Sequence, residues 1–173
     1  MSRSLADLHP DWPQYATRLR DGVKDLTPEQ LDLRIGPDHA PIWALTAHVA
    51  GTRAYWLCGV FEQPGAETTP FTEPLTGPGW EDDLTHPRSG AELAWALDTT
   101  WAVIRDVLER WTVDDLERTA SRISPDGTAQ VHTRASVLDR LISHEAFHAG
   151  EISQLLGRHD LPPIDLWRRR PPT

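Results

Sequence analysis

The sequence predicts an all-α fold: a four-helix bundle with a long loop between helices 2 and 3 and a small hairpin before helix 4. Two observations carry this expectation. Four segments repeat apolar residues at steps of three and four, the spacing that gathers them on one face of a helix. Between the second and third of these lies a stretch rich in Pro, Gly and Thr, which punctuates the chain without dividing it into two domains.

The first helix is expected from about Asp11 to Asp25, with Pro13 tolerated in its first turn and Tyr15, Leu19, Val23 and Leu26 on its stripe. The second runs from about Ala40 to Phe61, again with a proline, Pro41, near its start. Its apolar face reads Ile42, Leu45, Val49, Thr52 and Trp56. The third spans roughly Ser89 to Trp111, with Leu93, Leu97, Trp101, Ile104 and Leu108 in line. The fourth spans roughly Arg134 to Gly157, where the glycine suits a C-terminal stop. Leu26–Leu31 and Trp111–Leu116 echo each other. Each sets a threonine N-cap before acidic first-turn residues and an apolar anchor. Residues Gln63 to Arg88 form the long loop, and Ile123–Val131 reads as a hairpin around Pro-Asp-Gly.

At 173 residues the chain suits one domain with a real core. The formal net charge of −9 opposes binding to nucleic acid or an anionic membrane, since both need a basic surface. The one basic cluster, Arg168–Arg170, is read as a solvated tail. Cys58 is the only cysteine, so no intrachain disulfide forms and a reducing cytoplasm is expected. Cys58 itself is read as a small buried apolar residue. No stretch is long and apolar enough to span a bilayer.

Histidines then break the pattern. On the fourth helix Val137, Leu141, His144, His148, Ile152 and Leu155 fall on one side at about 100° per residue. Two imidazoles therefore replace apolar residues in a seam. On the second helix His48 recurs with Leu45, Thr52 and Tyr55. Three imidazoles from two helices can meet inside a bundle, where metal sites are often built. Three protein ligands leave positions open for water or substrate.

The string His144-Glu145-Ala146-Phe147-His148 matches the H-E-x-x-H of zinc proteases, but the rest of that signature is missing. No glutamate follows Glu151, Gly150 comes one residue too early, and Gln154 stands where a third histidine is required. Glu145 is placed either towards the metal or towards the surface. Glu151, seven residues after His144, either orients a ligand imidazole or holds substrate, or is an ordinary surface acid. These two are the candidate catalytic groups. Tyr55 and Trp56 are candidate pocket walls or core, and His132 and Arg134 a candidate pocket rim or simply the hairpin end.

The segment from Val137 to Ile152 resembles the last helix of the DinB/YfiT-like superfamily, whose motif is H-x-x-x-H-x-G-x-I. Pro41–Ala50 resembles that family's second helix, which bears its first histidine, and the order of elements agrees along nearly the whole chain. The resemblance implies a single DinB-like helical domain over residues 1–173. It implies one divalent metal ion, zinc, nickel or iron, bound by His48, His144 and His148. It further implies a transferase that uses a low-molecular-weight thiol of the mycothiol or bacillithiol type against a small electrophilic substrate, and a homodimer. A metal-dependent hydrolase and a non-catalytic metal- or ligand-binding protein are the alternatives.

Overall fold

The computed structural model describes residues 4–124 and 126–166; the Arg168–Arg170 run lies outside them. The fold is mostly helical, with one two-stranded antiparallel sheet. Its helices are α1 (Trp12–Val23), α2 (Pro28–Leu31), α3 (Ile42–Ala54), α4 (Gly90–Arg110) and α5 (Arg134–Arg158). The strands are β1 (Thr119–Ile123) and β2 (Ala129–Thr133). α3 packs on α4 and on α5, and α1 packs on the same two helices. Among the described residues, no helix is long and apolar enough to cross a membrane.

Local chemistry explains the boundaries. Thr27 opens α2 through a reciprocal cap: its hydroxyl accepts from the Gln30 amide, and the Gln30 side chain accepts from the Thr27 amide. This sets Leu31 into the core. Ser89 and Glu92 do the same for α4. Thr112 starts a 3-10 turn at Val113–Asp115, so both threonine signals mark real starts of short helical turns. α5 runs one residue past Gly157, ending at Arg158. The hairpin is longer than its sequence signal: the strands flank the turn, and Gly127 at φ 82° supplies the left-handed residue.

The stripes differ in detail from the expected ones. α1 buries Trp12, Ala16, Leu19 and Val23, one face back from Tyr15. α3 is buried almost all round, so Leu45 and Thr52 mark its open side rather than its core side. Beyond Ala54 the helix widens into a π-helical stretch, Tyr55–Val60, which no residue pattern signals. On α5 the core side is Val137, Leu141, Glu145, Ala149 and Ile152, with His144 and His148 half-buried at its edge.

Glu145 belongs to a polar cluster inside this core. Arg53 Nη2 donates to Glu145 Oε2 at 2.7 Å, and both side chains are 2% exposed. Arg53 Nη1 also donates to the Leu97 carbonyl at 3.1 Å and to Thr100 Oγ1 at 3.4 Å. Trp12 Nε1 donates to Glu145 Oε2 at 3.2 Å. One ion pair thus touches α1, α3, α4 and α5. Removing one partner of such a pair strands the other charge in a low-dielectric interior. Arg53→Ala is therefore expected to lower unfolding stability by about 3–5 kcal/mol in a urea melt. The double replacement Arg53→Met with Glu145→Leu is expected to recover most of it. A loss below about 1 kcal/mol for the single variant, the range of a surface pair, would show that the pair does not hold the helices.

Candidate metal centre

His48 sits near the middle of α3, and His144 and His148 lie one turn apart on α5. Because α3 packs on α5, the rings meet. His48 Nε2 lies 2.9 Å from His144 Nε2, which lies 3.2 Å from His148 Nε2. One nitrogen from each ring falls within 4.8 Å of the others, so the group can hold a metal ion.

The outer nitrogens of two rings are anchored. His148 Nδ1 donates to Glu151 Oε2 at 2.6 Å. His48 Nδ1 donates to Glu81 Oε1 at 2.9 Å. An ionised carboxylate only accepts, so each of these bonds puts the ring proton on Nδ1 and leaves the Nε2 lone pair facing the cluster. Burial, together with the neighbouring imidazoles and the Arg140 and Arg53 cations, brings the His144 pKa down to about 4. Burial lowers that of His148 as well, against the opposing pull of Glu151. Both rings are neutral at pH 7, the form that ligates metal. His48 and His148 thus turn Nε2 lone pairs towards His144 Nε2, and a cation at their common point would satisfy all three rings. The donor set thus fits a divalent ion of the imidazole-binding class.

The structure brings His48, His144, His148 and Glu151 together. Glu145 is instead turned into the core, where its carboxylate is taken up by Arg53 and Trp12. That is neither of the two positions, metal or surface, expected for it from the sequence. Glu81 is the site residue that the sequence reading missed. It comes from a 3-10 turn, Trp80–Asp82, in the long loop, where no helical period points to it. The only local signal was the glycine before an acidic run, Gly79-Trp80-Glu81-Asp82-Asp83.

Two cavities flank His48. The larger, about 690 Å³, is walled by Tyr55, Trp56, Phe71 and Trp80 and carries Arg88. The smaller, about 430 Å³, is lined by Pro37, His39, Leu45 and Leu84. His48 and Glu81 line both. The first has the size and aromatic walls of a small-molecule site. Tyr55 lines it, and Trp56 is both wall and core. His132 packs edge-on against Trp56, and Arg134 lies over Trp111. Cys58 is buried and its thiol is pushed up to about 11, chiefly by desolvation, so it is no nucleophile at neutral pH.

The depressed His144 pKa makes a prediction for the metal-free protein. Between about pH 6.5, the unfolded value, and about 4, the unfolded chain binds a proton that the folded chain refuses. Stability is thus intact above 6.5 and falls as pH drops towards 4. Thermal melts of chelator-treated protein should show this fall, and His144→Gln should flatten it. Equal slopes for the two proteins would remove His144 as its source.

Comparison with known proteins supports the fold and the family. The solved structures include a DinB-like protein from Bacillus cereus with a TM-score of 0.67 at 18% identity, covering 94% of this chain and 97% of that one. No curated protein matches. The family model of the DinB superfamily matches residues 14–152, which span His48, His144 and His148. With four-fifths of its length matched, including all three converging histidines, this chain belongs to the DinB superfamily.

Proposed function

We propose that the chain is a divalent-metal-dependent enzyme that transfers a low-molecular-weight thiol to a small electrophile. The observation that carries the metal part is the meeting of three Nε2 atoms, two of them on rings whose Nδ1 atoms are held by carboxylates. The thiol part rests on the family resemblance and on the cavity beside His48. His48, His144 and His148 would hold the ion, zinc, nickel or iron. A divalent ion so held supplies Lewis acidity that keeps a small thiol in its reactive thiolate form. Glu151 fixes the His148 ring, and Tyr55, Trp56 and Phe71 give the electrophile an apolar wall against which to orient. The sulfur then bonds to the electrophilic carbon as the leaving group departs with its electron pair. With Cys58 protonated, the nucleophile comes from the cosubstrate.

On the same footing we read the packing of α1, α3, α4 and α5 as a four-helix bundle forming one domain over residues 1–173. The acidic charge and lone cysteine support a cytoplasmic protein without nucleic-acid partners. Ile123 and Val131, both exposed on neighbouring strands, support a homodimer.

Two measurements test the proposal. Untagged protein prepared without chelator should carry a divalent ion, and His48→Ala should weaken its binding by more than about 100-fold, beyond the loss of any outer partner. Unchanged metal content in that variant would remove His48 as a ligand. A bromobimane-type electrophile should be consumed only when both metal and a small thiol are supplied. Consumption in water alone would point to a hydrolase, and none under any condition to a binding protein.

A further inference from the structure

Glu81 is the residue that ties the long loop to the histidines. It stands alone in a 3-10 turn, 33 residues from His48 in sequence, yet its Oε1 accepts from His48 Nδ1 at 2.9 Å. The loop is shaped to bring it there. The Gly79 amide donates to Asp82 Oδ2 at 2.7 Å, which closes the turn around Glu81. A Cβ at Gly79 would collide with the Glu81 carboxylate. The carboxylate also lies beside Gly51 of α3, where a Cβ would stand in ordinary contact, 3.8 Å from Oε2. The missing side chain at Gly79 thus leaves the slot that the carboxylate fills. Phe71 and Trp80, packed on each other at 5.6 Å between ring centres, brace the loop on α3 from the same side. Among the described residues the second oxygen, Oε2, is buried without a hydrogen-bond partner, so the carboxylate is held there by the His48 bond and the slot.

His48 needs such a partner more than His148 does. Its side chain is 41% exposed, whereas that of His148 is 13% exposed. An exposed imidazole exchanges freely between its two tautomers and between ring orientations. Only the tautomer with the proton on Nδ1 offers Nε2 to the cluster. We infer that Glu81 is a positioning residue of the metal centre: its carboxylate fixes His48 as the Nδ1–H tautomer and so couples the seating of the 63–88 loop to metal binding. This rests on the metal reading above, and the loop that forms most of the larger cavity is thereby fastened to the ion.

The test uses the full chain and three variants, Glu81→Ala, Glu81→Gln and Gly79→Ala. Folding is checked by thermal melt; Glu81 lies on a surface loop, and its loss leaves the core intact. The first readout is independent of metal. Long-range proton–nitrogen spectra of the ¹⁵N-histidine-labelled, metal-free protein should show His48 as one Nδ1–H tautomer. Glu81→Ala should show a mixture of tautomers. Glu81→Gln, whose amide oxygen also accepts, should restore the single form. The second readout is zinc affinity by chelator competition. Glu81→Ala and Gly79→Ala should each weaken it by about 10- to 100-fold, as loss of a partner behind a ligand does, with Glu81→Gln between them and wild type. An unchanged tautomer in Glu81→Ala together with zinc affinity within about twofold of wild type would overturn the proposal. A tautomer change in a chain whose wild type binds no zinc, nickel or iron would sink the metal reading while upholding the Glu81–His48 bond.

Discussion

The ion pair between Arg53 and Glu145 fixes the relative position of every long helix. Arg53 stands five residues after His48 on α3, and Glu145 immediately follows His144 on α5. A bond of 2.7 Å between their tips, with Leu97 and Thr100 of α4 and Trp12 of α1 on the same two groups, allows only one axial register of α3 against α5. In that register His48 arrives level with His144. A hydrophobic interface alone is more permissive, because leucines and alanines slide past one another at small loss. The directional pair is the part of the core that cannot slide.

Electrostatics then works in layers around the cluster. Inside, desolvation and then the neighbouring imidazoles keep His144 unprotonated, and desolvation does the same for His148. Outside, Glu81 and Glu151 pull protons to the far ring nitrogens. On His148 the two oppose each other: Glu151 places the proton on Nδ1 but also favours the charged ring, and burial outweighs it. Together they leave basic nitrogen directed inward at neutral pH, which is the requirement for an imidazole-bound ion.

The histidines were legible in the sequence because helical phase is a local property. Residues four apart on α5 share a face whatever else the chain does, and His48 had only to lie on the side of α3 turned to α5. The same phase rule hid Glu145. Leu141, Glu145, Ala149 and Ile152 form as good a stripe as the one through the histidines, but a charged residue does not read as core from its position alone. Arg53 was hidden for a related reason: α3 is apolar nearly all round, and a lone arginine there states its need for a partner without saying which. Glu81 was beyond reach. A loop has no period, and what brings that carboxylate to His48 is a turn closed by Asp82 and a missing side chain at Gly79. The caps, by contrast, were readable, because Thr27 and Ser89 act within four residues of themselves.

The division of labour between helices and loop has a consequence for how such a protein changes over generations. The three nitrogens are bolted to α3 and α5, where inserting a single residue would swing a ring about 100° out of place. Much of the larger cavity's wall, including Phe71, Pro74, Leu75 and Trp80, hangs instead on the stretch from 63 to 88, which tolerates insertion and deletion far better. Rewriting that stretch re-tailors the chamber while the three-histidine cluster stays as it was, so long as one carboxylate still reaches back to the ring of His48. New ligands can thus be tried by drift in the exposed parts of that segment, while Phe71 and Trp80 keep it packed on the core.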